Sequence, residues 1–451
     1  MNNLVNKMDE NMKWLKRENE VLGSGMRLPF FPLVIKEAKG EFIYDYDGNK
    51  WIDFLSSACV TNTGHAHPVI IDRMKEQMDQ LVHYNPAYAS HENLIALSEE
   101  LIRITPGNFS KKVTYGLSGS DANDTAIKLA RSYTRKSKIL AFSRSYHGNT
   151  YGALSASAVS LPMRQNMGPL LPDIYHIPFP DIYRPQFKTD NESERCIAAI
   201  KHILETVCPP EEIAAIIIEP IQGDSGVIVP QQAFIDELKQ LCNEHGILII
   251  ADEVQTGFGR TGKWFASEHF QLEPDLTVMG KAIASGMPLS AVVGRSEIMT
   301  SWQPPAGAFS LAANPISCVA SRATIEVIET ENLTKRAQEL GSYIKNRFRY
   351  FQERFGVIGD IRGEGLMLGI DLVGSQVSKE PNHSYAAKIC WSCWEKGLFL
   401  TFFSGSVLRI APPLTIKEEY LEQALQILEE SFEDVTAGRV PDSVLDEIKG
   451  W

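Results

Sequence analysis

Cysteines are few in this chain, and long apolar runs are missing. Seven cysteines are scattered over 451 residues, an odd number that argues against a disulfide framework and for reduced thiols. The longest apolar runs, such as IAAIIIEP and GILIIADE, are far shorter than the about 20 residues that a membrane-spanning helix requires. The polar N-terminal stretch has no apolar core of the signal-peptide type. We therefore expect a cytoplasmic protein without a membrane partner.

Positive charge is also in short supply. The chain has 56 acidic and 44 basic side chains and a formal net charge of −12, which disfavours a nucleic-acid partner. Cys390 and Cys393 form one C-x-x-C pair with no second pair after it. Packing on a helix explains this pair better than metal or redox chemistry, and no metal site is predicted.

The chain is too long for a single hydrophobic core. From about residue 90, short apolar runs alternate with amphipathic helical stretches, which is typical of βαβ units and a mostly parallel sheet. Near residue 330 this alternation ends. The sequence predicts an α/β protein with a large domain at 66–330, its sheet sandwiched by helices. A smaller α+β domain would combine an N-terminal arm and segment at 1–65 with residues 331–451.

Three apolar runs end in a functional side chain. AAIIIEP leads to Glu219, ILIIADEV contains Asp252, and DLTVMGK ends in Lys281. Because ligands of open α/β sheets bind beyond the carboxyl ends of the strands, we expect these three residues at one edge. Lys281 is the one charged residue between Leu276 and Gly294. It is either a surface lysine with its ammonium in water or a poorly solvated lysine able to attack a carbonyl carbon.

Two further stretches complete a possible cofactor site. YGLSGSDAND places Gly119 and Ser120 between a strand and a helix, which fits either a phosphate site or an ordinary helix cap. Tyr146 follows the strand KILAFS and offers an aromatic ring. Pyridoxal 5′-phosphate (PLP) needs a lysine for its aldehyde, a carboxylate for its ring nitrogen, a phosphate site and an aromatic platform. The combination therefore predicts PLP.

A dinucleotide site is the competing interpretation. GFGRTG, from Gly257 to Gly262, matches G-x-G-x-x-G. The motif requires a strand directly before it and a helix beginning on it. ADEVQT intervenes here, and KWFASEHF is a poor crossover helix, so this interpretation is disfavoured.

The motifs together resemble those of class III aminotransferases, PLP enzymes of fold type I. GHAHP, SGSDAND, YHGNTYG, EPIQGDSG, ADEVQTGFGRTG, VMGKAIASGMPLSAVVG and ANPISC occur in the family's order over nearly the whole chain. The resemblance implies a Schiff base between Lys281 and the cofactor and a pairing of Asp252 with the pyridinium nitrogen. It also implies that Gln255 approaches the phenolic oxygen, that Tyr146 stacks on the ring and that Glu219 lies beside the cofactor. Phosphate contacts are implied for Gly119 and Ser120 and, across a subunit interface, for Ser310. Arg409, in VLRIAPPL, matches the arginine that binds the substrate carboxylate.

Two departures from the family pattern bear on function. The usual Thr-Phe/Tyr-Gly-Gly-Asn-Pro reads SLAANP here, which weakens the expectation for Ser310. In EPIQGDSG, Asp224 stands where many ω-aminotransferases have a glutamate. An aspartate there resembles the amino-acid racemase branch of the family, which includes enzymes that epimerise isoleucine. LVHYNPAY and the closing Gly-Trp are similar to that branch as well.

These features predict a racemase or epimerase of bulky apolar amino acids that acts as a homodimer or a dimer of dimers, with active sites at the subunit interface. Lys281 would take the Cα proton, and Asp224 would return a proton to the opposite face. Asp224 could instead cap its own turn or pair with an arginine. Tyr88, Phe402 and Phe403 are candidate pocket walls, although aromatic residues commonly belong to cores. The alternatives are an aminotransferase of 4-aminobutyrate or another ω-amino acid, and a catalytically silent binding protein.

Overall fold

The computed structural model describes residues 8–28, 30–188 and 191–450. Trp451, the second residue of the closing Gly-Trp, lies outside these residues. The chain divides into two compact units. The terminal unit comprises the described residues of Met1–His67 and Arg336–Trp451, and the central unit is Pro68–Lys335. Among the described residues, no helix has both the length and the apolar character needed to cross a membrane.

The first part of the terminal unit is a helix followed by a hairpin. Its elements are α1 (Asp9–Val21), β1 (Ile35–Lys39), β2 (Phe42–Asp45), β3 (Lys50–Asp53) and α2 (Ser56–Cys59). β2 and β3 pair antiparallel and form the hairpin. The Asp45 carboxylate closes its turn by accepting the backbone N–H groups of Asp47 and Asn49 at 2.9 and 2.8 Å.

One seven-stranded sheet forms the centre of the central unit. Its strands are β4 (Lys111–Gly116), β5 (Lys138–Phe142), β6 (Ile174–Ile177), β7 (Ile213–Ile218), β8 (Leu248–Asp252), β9 (Leu276–Met279) and β10 (Ser290–Arg295). They lie in the order β4-β10-β9-β8-β7-β5-β6. The strands from β9 to β6 are parallel, whereas β10 is antiparallel to both β4 and β9. The predicted mostly parallel sheet is confirmed.

Helices of the central unit pack on this sheet and on one another. They are α3 (Pro68–Gln80), α4 (Glu92–Ile104), α5 (Gly119–Thr134), α6 (Tyr151–Ala156), α7 (Glu192–Thr206), α8 (Gln232–His245), α9 (Ser296–Met299) and α10 (Pro315–Thr330), with short 3₁₀ helices at Pro210–Glu212, Ala266–Phe270 and Lys281–Ala284. Ala126 and Ala130 of α5 lie in one core cluster with Ile217, Ile250 and Val278 of the sheet. Each residue of β7 is buried, as expected of a central parallel strand covered on both faces.

The C-terminal part completes the terminal unit. Its elements are α11 (Leu333–Arg354), β11 (Ile358–Glu364), β12 (Met367–Leu372), α12 (His383–Glu395), β13 (Leu398–Phe399), β14 (Thr401–Phe403), β15 (Val407–Ile410), α13 (Glu418–Thr436) and α14 (Val444–Glu447). One sheet has the order β1-β2-β3-β13, with β13 parallel to β3. The other has the order β11-β12-β15-β14 and is antiparallel. This unit is therefore α+β.

Two further sequence motifs can be located in the structure. The Gly257–Gly262 stretch follows β8 through a series of turns and leads to the short 3₁₀ helix Ala266–Phe270, so it lacks the strand-to-helix junction of a dinucleotide site. Cys390 and Cys393 are buried in α12. The described part of the chain contains no cluster of His, Cys, Asp and Glu side chains that could hold a metal ion.

Candidate active site

Three neighbouring parallel strands deliver the predicted residues to one edge of the central sheet. Glu219 directly follows β7, Asp252 is the last residue of β8, and Lys281 comes two residues after β9. Since β7, β8 and β9 are adjacent and parallel, these residues lie at neighbouring carboxyl ends. This is the edge where open α/β sheets bind ligands.

Asp252 is held in a fixed orientation by three donors. Its Oδ2 accepts the Asn123 side-chain amide at 2.8 Å and lies 2.7 Å from Nδ1 of His147. Its Oδ1 accepts the backbone N–H of Val254 at 3.0 Å. Asp252 is 4% exposed, so its carboxylate has little contact with bulk water and could pair with a buried atom of a ligand.

Sequence reasoning missed the roles of His147 and Asn123. Both residues are buried, and the Asn123 amide also donates to the His147 carbonyl at 2.8 Å. The backbone N–H of His147 donates to Ser157 Oγ at 2.8 Å. Asn123 belongs to the motif SGSDAND and His147 to YHGNTYG, so the family pattern includes both residues. Their distance from Asp252 along the chain gives no indication that they contact it.

The N-terminus of α5 is a candidate anion site. Ser118 caps the helix, and its side chain and that of Asp121 form a reciprocal capping box. The N–H groups of Gly119 and Ser120 belong to the first turn, where helical N–H groups have no acceptor within the helix. The helix dipole adds positive potential at this end. The arrangement suits a phosphate group.

Close backbone packing joins this helix end to the segments that carry Asp252 and Lys281. A Cβ atom added to Gly119 would lie 2.7 Å from Cγ1 of Val254. One added to Gly280 would lie 3.2 Å from Cα of Gly119. Lys281 follows at once, with a positive φ of 46°, and begins a short 3₁₀ helix. Glycine at 119 and 280 therefore brings the lysine beside the candidate anion site.

Glu219 connects Tyr146 to the turn that follows β7. Its Oε1 accepts the backbone N–H of Tyr146, and its Oε2 accepts that of Gly223, each at 2.9 Å. Burial raises the pKa of Glu219 to about 7, and the charge of Asp252 acts in the same direction. Burial also raises the pKa of Tyr146 to about 12, together with the charges of Asp224, Asp252 and Glu219. The phenol is therefore neutral and surrounded by carboxyl groups.

Asp224 lies inside the protein and not at its surface. It is 6% exposed, and its Oδ1 accepts the Gln255 side-chain amide at 3.4 Å. A Cβ atom at Gly223 would lie 1.9 Å from Oε1 of Gln255. Position 223 therefore requires glycine, because the Gln255 side chain packs directly against the turn there. The structure thus brings Asp224, Gln255 and Tyr146 together beside the strand-end residues.

Two predicted residues of the central unit lie on its surface. Tyr88 is 82% exposed, and Ser310 is exposed in the loop between α9 and α10. The Ser310 carbonyl accepts a hydrogen bond from Nε2 of His83 at 3.0 Å. Their roles toward substrate and cofactor stay predictions.

Arg409, Phe402 and Phe403 belong to the terminal unit. Arg409 on β15 is 8% exposed, and its guanidinium lies 4.1 Å from the centre of the Phe403 ring, a cation–π contact. Phe402 is 1% exposed and packs edge-on against Phe30 and His383. Both phenylalanines are core residues of this unit, and their roles as pocket walls, like that of Arg409, stay predictions.

The fold and this arrangement of residues are those of a large family, and the chain belongs to it. The family model for class-III aminotransferases matches residues 25–432. The family membership indicated by the sequence motifs is confirmed.

Named relatives place the chain more closely. It is 42% identical to a leucine/methionine racemase of Thermococcus litoralis, over 97% of this chain and 99% of that protein. It is 43% identical to an isoleucine 2-epimerase of Lentilactobacillus buchneri, over 97% and 98%. It is 44% identical to an alanine/serine racemase of Pyrococcus horikoshii, over 96% and 92%.

The cofactor is pyridoxal phosphate, as the family and its solved structures indicate. One similar structure is a PLP-bound amine transaminase from an uncultivated Pseudomonas species, with a TM-score of 0.85 and 27% identity over 92% of this chain and 98% of that one. The residues of this edge fit the cofactor. They offer a lysine after β9, a buried carboxylate at the end of β8 and a helix N-terminus for phosphate. In addition, Tyr146 lies among the carboxyl groups.

Proposed function

We propose that the protein is a PLP-dependent racemase or epimerase that interconverts the L and D configurations at Cα of bulky apolar amino acids. The observation that carries this proposal is the buried carboxyl group of Asp224, held by Gln255 and close to Tyr146. In a two-base mechanism, a racemase uses a second proton-transferring group on the face of Cα opposite the lysine, and we assign this role to Asp224. The racemase and epimerase activities named for three relatives support the reaction. The leucine, methionine and isoleucine named for two of them support bulky apolar substrates.

The chemistry is a pair of proton transfers at one carbon atom. PLP, when bound, withdraws electrons and makes the Cα proton of the amino acid acidic. Nζ of Lys281 takes this proton from one face of Cα, and the Asp224 carboxyl group gives a proton to the opposite face. One C–H bond is broken and one is formed. Lys281 ends the step with an extra proton and Asp224 ends it ionised, so exchange with solvent or the reverse reaction restores both.

To act as this acid, Asp224 must carry a proton when the substrate is bound. Its side chain is buried. Gln255, which donates to its Oδ1 at 3.4 Å, is a neutral neighbour.

The remaining site residues have the following proposed roles. Asp252 pairs with the ring nitrogen of the cofactor, Tyr146 stacks on the ring, Gln255 approaches its phenolic oxygen and Glu219 holds the platform beside it. Phosphate is bound by Gly119 and Ser120, and by Ser310 of a second subunit. Arg409 binds the substrate carboxylate, for which a guanidinium is well suited. Tyr88, Phe402 and Phe403 line the side-chain pocket.

The proposed assembly is a homodimer or a dimer of dimers. Val82, Tyr84, Tyr88 and Leu311 are large apolar side chains with exposed fractions of 58%, 50%, 82% and 55%. They lie on two segments joined by hydrogen bonds, since His83 contacts the Ser310 carbonyl. Such a patch is typical of a subunit interface.

The proposed compartment is the cytoplasm, where free thiols such as the seven buried ones here are common.

An aminotransferase is the second candidate, because the family takes its name from that activity. One experiment separates the two. The purified enzyme with PLP is incubated with L-isoleucine and no 2-oxo acid, and the stereoisomers are resolved by chiral chromatography. We expect D-allo-isoleucine over many turnovers. If none forms, and turnover requires a 2-oxo acid together with an amine donor, the protein is an aminotransferase.

Replacing the proposed acid tests the mechanism. We expect Asp224→Asn to lower the racemisation rate by about 10²- to 10⁴-fold, the usual contribution of a positioned acid or base. Exchange of the Cα proton in D₂O should persist, because Lys281 is unchanged. Circular dichroism and the PLP content would show that the variant is folded and loaded. Racemisation at the wild-type rate would remove Asp224 from the mechanism.

A further inference from the structure

The loop after β5 and the turn after β7 are connected by a two-way clamp. Nη2 of Arg144 donates to the Ser225 carbonyl at 3.3 Å. In return, the Ser225 hydroxyl donates to the Arg144 carbonyl. Arg144 lies two residues before Tyr146, and Ser225 directly follows Asp224. The clamp therefore joins the segment with the proposed ring platform to the segment with the proposed acid.

Asp181 anchors the other side of the Arg144 guanidinium. Its Oδ2 accepts from Nη1 of Arg144 at 2.9 Å. Its Oδ1 accepts the backbone N–H groups of Tyr183 and Arg184 at 3.1 and 3.0 Å. Asp181 is 5% exposed, so the carboxylate is itself fixed. A planar guanidinium that bridges a fixed carboxylate and a carbonyl restricts both partners in a way that a lysine ammonium does not.

Further contacts hold the same two segments together. The Gln222 side-chain amide donates to the Ser143 carbonyl at 3.0 Å, and Glu219 bridges the N–H groups of Tyr146 and Gly223. Arg144 has a φ of +64°, a left-handed conformation that costs energy for a residue with a side chain. The surrounding contacts maintain this conformation. They thereby fix the position of the backbone on both sides of Asp224.

We propose that the Arg144–Asp181 pair positions Asp224 for proton transfer to the face of Cα opposite Lys281. This inference rests on the proposed racemase function. Arg144 acts through Ser225 and is a positioning residue. Proton transfer requires donor and carbon at a well-defined separation, and displacement by about 1 Å costs on the order of 10²-fold in rate. Loosening the clamp should therefore slow the transfer of a proton from Asp224 to Cα. It should have less effect on Lys281, which removes the Cα proton and can return it to the same face.

The readout is the stereochemical outcome in D₂O. With L-isoleucine as substrate, return by Lys281 yields L-isoleucine deuterated at Cα, and return by Asp224 yields D-allo-isoleucine. We expect Arg144→Met and Asp181→Asn each to raise the ratio of deuterated L-isoleucine to D-allo-isoleucine by at least about 5-fold. The double variant should show no larger change than Arg144→Met, because both substitutions break one clamp. Asp181→Asn keeps an oxygen for the two backbone N–H groups, so it tests the pair if Arg144→Met does not fold.

Arg295→Met is the matched control. Nε of Arg295 binds Asp275 at 2.6 Å, and Asp275 directly precedes β9, at the sheet edge away from Lys281. The ratio should be unchanged in this variant. An unchanged ratio in Arg144→Met or Asp181→Asn, with PLP bound, would overturn the positioning role. If the wild type forms no D-allo-isoleucine, the proposed function itself fails, and the two failures are thereby distinguished.

Discussion

At the scale of residues, the site depends on buried carboxyl groups whose partners come from distant parts of the chain. Asp252 is oriented by His147, and Glu219 by the backbone of Tyr146. The two groups differ in their partners. Asp252 lies against a histidine ring and a side-chain amide, whereas Glu219 accepts two backbone N–H groups. One of them, Glu219, gives a prediction for the pH dependence of stability.

The contribution of Glu219 to stability should decrease as the pH rises. Its pKa is raised from 4.5 to about 7 in the folded protein, so its favourable contribution is complete below about 4.5 and is lost as the pH rises through about 7. At about 1.36 kcal/mol per pKa unit, the change is on the order of 3 kcal/mol. Glu219→Gln has no proton to lose. Its free energy of unfolding, compared with that of the wild type, should therefore improve between pH 4.5 and 8.

Urea denaturation of both holoenzymes across this pH range checks the prediction. Glu244→Gln, on the exposed surface of α8, controls for the loss of one glutamate. A difference between wild type and Glu219→Gln that stays constant with pH would contradict it.

At the scale of elements, the start of α5 packs closely against the loop that contains Gly148. Gly148 has a φ of +129°, and a Cβ atom there would lie 2.1 Å from Oγ of Ser120. The Ser120 hydroxyl also accepts the backbone N–H of Asn149 at 3.1 Å. The loop after β5 and the first turn of α5 are thus in contact at the candidate phosphate site.

Gly148→Ala should disturb both stability and cofactor binding. We expect the free energy of unfolding to fall by about 2–4 kcal/mol, because a strained φ combines with the contact with Ser120, whose Cα would lie 2.7 Å from the added Cβ. The Kd for PLP should rise at least about 10-fold, since α5 is displaced from its position. Fluorescence titration of the apoprotein with PLP and urea denaturation measure the two quantities.

Gly246→Ala separates strain from contact. Gly246 also has a positive φ, of 61°, but no atom lies within 4 Å of its added Cβ. This variant should lose about 1 kcal/mol and bind PLP normally. Equal effects of the two substitutions on PLP binding would show that the contact with Ser120 is unimportant.

The elements were largely predictable from sequence, and the contacts between them were not. β7 and β8 are short apolar runs that each lead to an acidic residue, so Glu219 and Asp252 could be assigned to strand ends. The antiparallel direction of β10 was not predicted, because direction depends on which strands pair and not on periodicity. The contacts of Asp252 with His147 and of Arg144 with Ser225 join residues 105 and 81 positions apart. Residue patterns within one element carry no signal for them.

At the scale of the whole molecule, the exposed apolar patch is the place to test the proposed assembly. Leu311 is 55% exposed, and its segment also contains Ser310, the proposed phosphate ligand of a neighbouring subunit. We expect Leu311→Glu to shift the protein toward monomers, because a buried charge at an interface is costly. The racemisation rate should fall in proportion to the loss of dimer, by at least about 10-fold where the monomer predominates.

Light scattering after size-exclusion chromatography checks the prediction. Val207→Glu is the control, because Val207 has an exposed fraction of 54% and lies at the end of α7. A Leu311→Glu protein that remains dimeric, or a monomer with full activity, would contradict the proposed shared site.

The pairing of β3 with β13 has a consequence for the order in which the protein is made. The two strands are parallel neighbours in one sheet, yet β13 leaves the ribosome roughly 350 residues after β3. At typical rates of synthesis this is a delay of about 20 to 70 s. During that time β3 has an open edge, which is a template for pairing with other chains. A segment synthesised early is thus completed late, and we expect nascent chains to depend on chaperones for that interval.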